Sequence, residues 1–269
     1  MSLDTVSGME AAIAAGDLQT VKNLYTTINE DQKSALLTSI ASRAAGKAKT
    51  EILDWCFRSG LEVPSTSVNN ELYDQACLSL SLAVFGVLVS HGADLNRYHS
   101  EYVGDALSLA AYHGDIELAR FLLQNGVDPN QAWGYQEHEP GVWAVVGPTP
   151  SPEILGLMLQ HGWLQKDSTA HIAAAELGNL ETLKLLVEAD HSADLEYAGA
   201  WWPIPSEGIV GEVGTALYRA ALTGKEEVVA YLLEKGANPK FEDSKGQSCL
   251  RAAKQGGNEK VIHMLQGSN

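Results

Sequence analysis

The sequence predicts an all-α protein, a solenoid of about eight helix–turn–helix units with long loops after the fourth and sixth. Three observations predict it. A pattern of paired alanines, a glycine, an acidic residue, paired leucines and a second glycine recurs along the chain, most clearly from Leu109 to Gly126 and from Gly214 to Asn238. The residues that open the second helix of each unit, Gln19, Glu51, Ala83, Glu117, Glu153, Glu181, Glu227 and Glu259, stand 32, 32, 34, 36, 28, 46 and 32 residues apart. The composition, 45% hydrophobic and 19% charged, is that of a folded chain rather than a disordered acidic one.

Taken in order, the units fall at about 8–34, 35–66, 67–103, 104–138, 139–167, 168–213, 214–246 and 247–269, within one domain spanning 1–269. In each, small residues on the first helix let neighbours approach closely, as at Ala110-Ala111 and Ala220-Ala221. A glycine (Gly16, Gly114, Gly178, Gly224, Gly256) is expected to end that helix in a left-handed cap. The second helix then turns Val, Leu and Phe toward the core at i, i+3 and i+4. Units two and three keep the pattern loosely, with Trp55 and Phe57 on the second helix of unit two. Exposure of both would favour a structural subunit of a larger assembly. In unit five Ser151 can cap, Pro152 suits the first helical position, and Glu153 suits the positive end of the dipole. Unit eight, with Lys254, Glu259 and Lys260, reads as a polar terminal cap, because one unit cannot bury its apolar face alone.

The helix starts Asp105-Ala106-Leu107-Ser108, Gly214-Thr215-Ala216-Leu217-Tyr218 and Ser248-Cys249-Leu250-Arg251, with the spacing near 33 residues, resemble the ankyrin-repeat family over essentially the full chain. The match is specific in units four, six, seven and eight. The resemblance implies a structural motif with no inherited catalytic set, whose binding residues lie on the loops and on the concave face of the first helices. It implies a protein partner.

The net charge of −16 opposes nucleic-acid phosphates and anionic membranes, so neither is an expected partner. The uncharged run from Leu78 to Val89 is shorter than the roughly 20 residues of a spanning helix, no leader is read between Met1 and Asp17, and a cytoplasmic location is expected. Cys56, Cys77 and Cys249 are odd in number, far apart and expected to be buried as small apolar residues. No zinc or facial-triad spacing, phosphate loop or nucleophile elbow occurs, so no metal and no cofactor are expected.

Candidate binding residues lie where the loops depart from the repeat. The loop after unit three carries Tyr98, His99 and Tyr102; that after unit four carries Trp133, Tyr135, Glu137 and His138, with Trp143 just beyond. The insertion from Tyr197 to Val213 carries Trp201, Trp202 and Glu207, whereas the loop holding Trp163 is short. Two long aromatic fingers flanking a short loop would frame a notch about one repeat wide. Trp and Tyr are enriched in binding hot spots, so these residues are expected to grip a protein segment whose basic groups complement the acidic surface. The alternative is an apolar small molecule in a Trp-lined notch, bound or turned over by a cofactor-free cyclase or isomerase, with Glu137, His138 or Glu207 moving the proton. A third possibility is that Trp133, Trp201 and Trp202 fold into the vacancy as a plug.

Overall fold

Sixteen α-helices and one 3₁₀ turn (Leu95–Arg97) are present among the described residues of the computed structural model, which are 3–63, 70–97, 104–131, 140–165, 168–189, 193–199, 214–242, 246 and 248–267. They alternate as inner and outer helices. The inner set is α1 (Leu3–Ala15), α3 (Glu30–Gly46), α5 (Glu71–Ser79), α7 (Ala106–His113), α9 (Pro140–Val146), α11 (Ala170–Leu177), α13 (Ala216–Thr223) and α15 (Cys249–Gln255). The outer set is α2 (Leu18–Thr26), α4 (Thr50–Arg58), α6 (Leu82–Ser90), α8 (Ile116–Gln124), α10 (Pro152–Gln160), α12 (Leu180–Glu188), α14 (Glu226–Glu234) and α16 (Glu259–Gly267). Seven of the eight marker residues are the second residue of an outer helix, and Glu259 is the first of its own.

The chain forms two compact units, one from Met1–Ala110 with Glu117–Val127, the other from Ala111–Ile116, Asp128–Ala132 and Gln136–Asn269. In the first, α1, α3 and α5 stack as one layer and α2, α4 and α6 as another. In the second, α9, α11, α13 and α15 form the inner layer, with α10 on α12 and α14 on α16 outside them.

Residue size sets these layers. The inner helices bury alanines, among them Ala41, Ala44 and Ala45 on α3 and Ala173, Ala174 and Ala175 on α11. The outer helices fill the remaining space with Leu53 and Cys56, Leu183 and Leu186, or Val228 and Leu232. Each such leucine contributes about 1.5–3 kcal/mol relative to exposure. Phe57 is buried, and the half-buried Trp55 meets Tyr25 edge-on at 5.3 Å. All three cysteines are buried; burial pushes the Cys56 and Cys249 thiols up to about 12.

Helix starts are closed by side chains. Asn70, Thr215 and Ser248 accept from the backbone N–H three residues on, at 3.2, 3.2 and 3.3 Å. Ser151 does the same for Ile154 at 3.3 Å, ahead of Pro152 at the first position of α10. Asp105 accepts at 2.8 Å from the Ser108 N–H and at 2.6 Å from its hydroxyl; burial raises its pKa, against the pull of those bonds.

In every unit but the fifth, where Pro150 holds the place, the turn between inner and outer helix has a left-handed residue two positions before the outer helix. Gly16, Gly114, Gly178, Gly224 and Gly257 fill it with φ between 69° and 81°. The last corrects the sequence expectation: Gly256 keeps a right-handed φ of −75°, and the cap moves one residue on. Units two and three force Ala48 (φ 52°) and Leu80 (φ 47°) into the same conformation.

On the opposite edge, polar side chains stitch neighbouring units. Asn96 Nδ2 donates to the Gly126 carbonyl at 2.8 Å, and Asn130 Nδ2 to the Gly162 carbonyl at 3.1 Å. Asn130 Oδ1 also accepts from the Leu164 N–H at 2.7 Å. Glu196 Oε1 accepts from the Asn238 N–H at 2.9 Å.

Candidate interaction surface

Trp143 projects from α9, half-buried, and meets the ring of Tyr112 at 5.8 Å and 82°. Tyr112 stands in the last turn of α7 and is 37% exposed, so this edge-to-face pair presents aromatic surface to solvent. The turns beneath it touch directly. A Cβ on Gly147 would fall 2.0 Å from the Tyr112 carbonyl oxygen, and one on Gly114 would fall 3.0 Å from the Thr149 carbonyl oxygen.

Trp163 is placed differently from a loop-tip aromatic. It is 2% exposed, and a Cβ on Gly141 would lie 2.1 Å from its Cζ2 atom, so the indole packs flat against α9 where only glycine leaves room. The backbone N–H of Trp163 donates to the Met158 carbonyl at 2.9 Å, which holds the short loop onto the end of α10. Trp163 is thus a packing residue of unit five.

The remaining predicted residues, Tyr98, His99, Tyr102, Trp133, Tyr135, Glu137, His138, Trp201, Trp202 and Glu207, lie outside the described residues, as do the notch and the plug proposed from them. The base of the long insertion is described. Gly199 and Gly214 pair antiparallel, with N–H to carbonyl distances of 3.3 and 3.2 Å, and so bracket residues 200–213. A Cβ on Gly214 would meet Tyr218 at 2.5 Å, and one on Gly199 would meet Thr169 and Tyr197 at 2.9 Å each, so the clasp is seated against α11 and α13.

Two histidines matter structurally. His91 Nε2 lies 2.9 Å from Asp54 Oδ1, and its ring stacks on Phe57 at 4.6 Å. That hydrogen bond, with Arg58 beside it, holds the Asp54 carboxyl below its usual pKa. His171, 2% exposed on α11, has no hydrogen-bond partner at Nε2, and burial pushes its pKa down to about 4, against the opposing charge of Asp194. Sequence reasoning passed over it. Its position relative to the glycine turn matches Leu107, Leu217 and Leu250 in other units, and an imidazole where the repeat wants leucine is the signal that could have found it.

The charge is segregated along the chain. Residues 51–200 hold 21 of the 34 carboxylates and 5 of the 18 lysines and arginines, so the whole excess of −16 resides there. No Lys or Arg occurs between Arg120 and Lys166. Among the described residues, no group of three His, Cys, Asp or Glu side chains could hold a metal ion, and no helix is long and apolar enough to cross a membrane.

Known proteins share this architecture. A family model described as ankyrin repeats in three copies matches residues 142–240 and 170–269, and one described as a single ankyrin repeat matches 105–133. The chain is 27% identical over 249 residues to the ankyrin repeat and KH domain-containing protein CBG24701 of Caenorhabditis briggsae, which covers 90% of the chain and 8% of that protein. It is 33% identical over 103 residues to the ankyrin repeat and KH domain-containing protein mask-1 of Caenorhabditis elegans, covering 38% of the chain and 4% of that protein. The chain therefore spans less than a tenth of the length of these relatives. The crystal structure of EF0377, an ankyrin repeat protein, superposes with a TM-score of 0.57 at 26% identity, over 72% of this chain and 96% of that one.

Proposed function

This chain belongs to the ankyrin-repeat family, and from that premise we propose that it is a protein-interaction module whose partner contributes a basic segment. The observation that carries the reading is the segregation of charge: the middle repeats concentrate the entire net charge, while the sequence on either side is balanced. Such a field attracts and orients a cationic partner and repels phosphate backbones and anionic lipid. In this reading the partner meets the inner helices of the second compact unit, where Trp143 stands half-buried on α9. The aromatic loops carrying Tyr98, His99, Tyr102, Trp133, Tyr135, His138, Trp201 and Trp202 supply the gripping side chains.

The test is affinity purification from the native source with wild-type and Trp133→Ala/Trp202→Ala protein, reading both co-purifying proteins and released small molecules by mass spectrometry. The expected result is a protein with a basic segment, retained at low salt, released as salt rises, and depleted by the double substitution. A tryptophan-dependent small molecule with no protein would overturn the reading in favour of a ligand-binding pocket. A partner indifferent to both tryptophans would remove the loops from the binding surface.

A further inference from the structure

We propose that the edge formed by the inner-to-outer turns of repeats four to six, within the second compact unit, docks a partner segment in which basic and apolar side chains alternate. The proposal rests on the reading of the chain as an interaction module and assigns it a surface built from Tyr112, Leu177 and the turns beside them rather than from the aromatic loops.

Solvent-facing apolar side chains mark the edge. Tyr112 and Leu177 are 37% and 41% exposed, and both stand in the last turn of an inner helix, α7 and α11. The two positions vary from unit to unit: the residues matching Tyr112 are Ala14 in unit one and Leu222 in unit seven, and those matching Leu177 are Ala15 and Thr223. Exposed apolar area costs about 25 cal/mol per Å², which makes two such side chains on one edge a surface suited to being covered. The edge is also continuous from repeat four to repeat five, because Gly147 seats on the Tyr112 carbonyl, Gly114 faces Thr149, and the Tyr112 and Trp143 rings meet edge to face. The packing of α9 on α11 carries it toward Leu177.

Charge chooses the occupant. Each outer helix begins at this edge, so Asp115, Glu153 and Glu181 stand beside the apolar row, and Glu153 and Glu181 are exposed. The sequence from Phe121 to Gln165 holds no Lys or Arg, and Lys225 of the next turn packs over Gly178 to bound the edge at its repeat-six end. A second copy of this acidic chain would bring like charges together on this edge, and nucleic acid or anionic lipid would be repelled outright. A segment placing Leu, Phe or Tyr on the Tyr112 and Leu177 side chains, and Lys or Arg toward the three carboxylates, satisfies both features. The apolar contacts then set the residence time, and the charges set the encounter rate.

A displayed library of random peptides panned against the full chain tests this directly. The expected result is enrichment of peptides alternating Lys or Arg with Leu or aromatic residues. Their binding falls about tenfold or more with Tyr112→Ser/Leu177→Ser. Glu153→Lys/Glu181→Lys weakens them less, by about threefold, and flattens their salt dependence. Both double variants replace exposed side chains, and unchanged thermal unfolding confirms that they fold. Enriched peptides that ignore the edge variants but are lost with Trp133→Ala/Trp202→Ala would overturn this proposal and leave the interaction reading standing. Enrichment of acidic peptides would overturn both, and so would the absence of any enriched peptide.

Discussion

Arg219 Nε donates to Glu176 Oε2 at 2.6 Å, joining α13 to α11 through a guanidinium side chain only 8% exposed. The Thr223 hydroxyl adds a bond to the Glu176 carbonyl at 3.1 Å, so the two inner helices are registered by side-chain and main-chain contacts together.

Breaking this pair is expected to be asymmetric. Glu176→Ala removes the carboxylate from the more deeply buried member and should cost about 3 kcal/mol; Arg219→Ala leaves the more exposed carboxylate and should cost less. Replacing both by apolar residues, Arg219→Met with Glu176→Leu, should recover most of the loss. Urea denaturation of the three variants is the measurement, and equal costs for the two single substitutions would refute the argument.

His171 predicts an acid-side loss of stability. Its folded pKa of about 4 lies below the unfolded 6.5, so between these values the unfolded chain binds the extra proton. Stability from this residue is complete above pH 6.5, falls as pH drops toward 4, and levels off below that, for a total of roughly 3 kcal/mol. His171→Leu supplies the residue found at the matching position in three other units, removes the unmatched Nε2 and should abolish that slope while raising the melting temperature at pH 5. Unfolding midpoints measured across pH 4–7 decide it.

Ala48→Gly should stabilise the protein. The residue is exposed with φ at 52°, in the place where five other units use glycine, and relief of the left-handed cost outweighs the added freedom of the unfolded chain by about 0.5–1 kcal/mol. Leu80→Gly at the equivalent turn should gain less, because Leu80 is half-buried and its apolar contacts are lost. Denaturation midpoints of the two variants, compared with wild type, test the ranking.

Gly141→Ala should disrupt unit five. The added methyl would overlap the Trp163 indole, with Cζ2, Cε2 and Cη2 all within 2.7 Å, and α9 and the ring cannot both keep their places. A cost of about 2–3 kcal/mol is expected, with a red shift of tryptophan emission as the indole is displaced toward water. Unchanged emission would mean that the indole yields without leaving the core.

The repeat was legible because two periodicities coincide in it, small residues on one helix and large ones on the next, and because six of the eight outer helices carry a glutamate marker in their first two residues, where the helix dipole favours it. The turn was less so. Gly256 and Gly257 are adjacent, and Gly257 is the one that turns left-handed, its turn closed by the hydrogen bond from the Asn258 N–H to the Ala253 carbonyl at 3.0 Å. Trp163 read as a loop aromatic because it follows a turn glycine, yet the residue that buries it, Gly141, lies 22 positions away in sequence. Tyr112 and Leu177 escaped notice for the opposite reason. They occupy regular repeat positions, and their exposure depends on neighbouring helices that a single-unit pattern does not contain.

The glycine pair Gly199 and Gly214 sets how this protein can vary. Because the backbone closes on itself at the clasp, the entropy of the bracketed segment grows only with the logarithm of its length, by about 0.6 kcal/mol per doubling. The clasp is a socket: it seats both ends of the segment beside α11 and α13, so the points where the chain leaves and rejoins the scaffold are set by the two glycines and not by the length of what joins them.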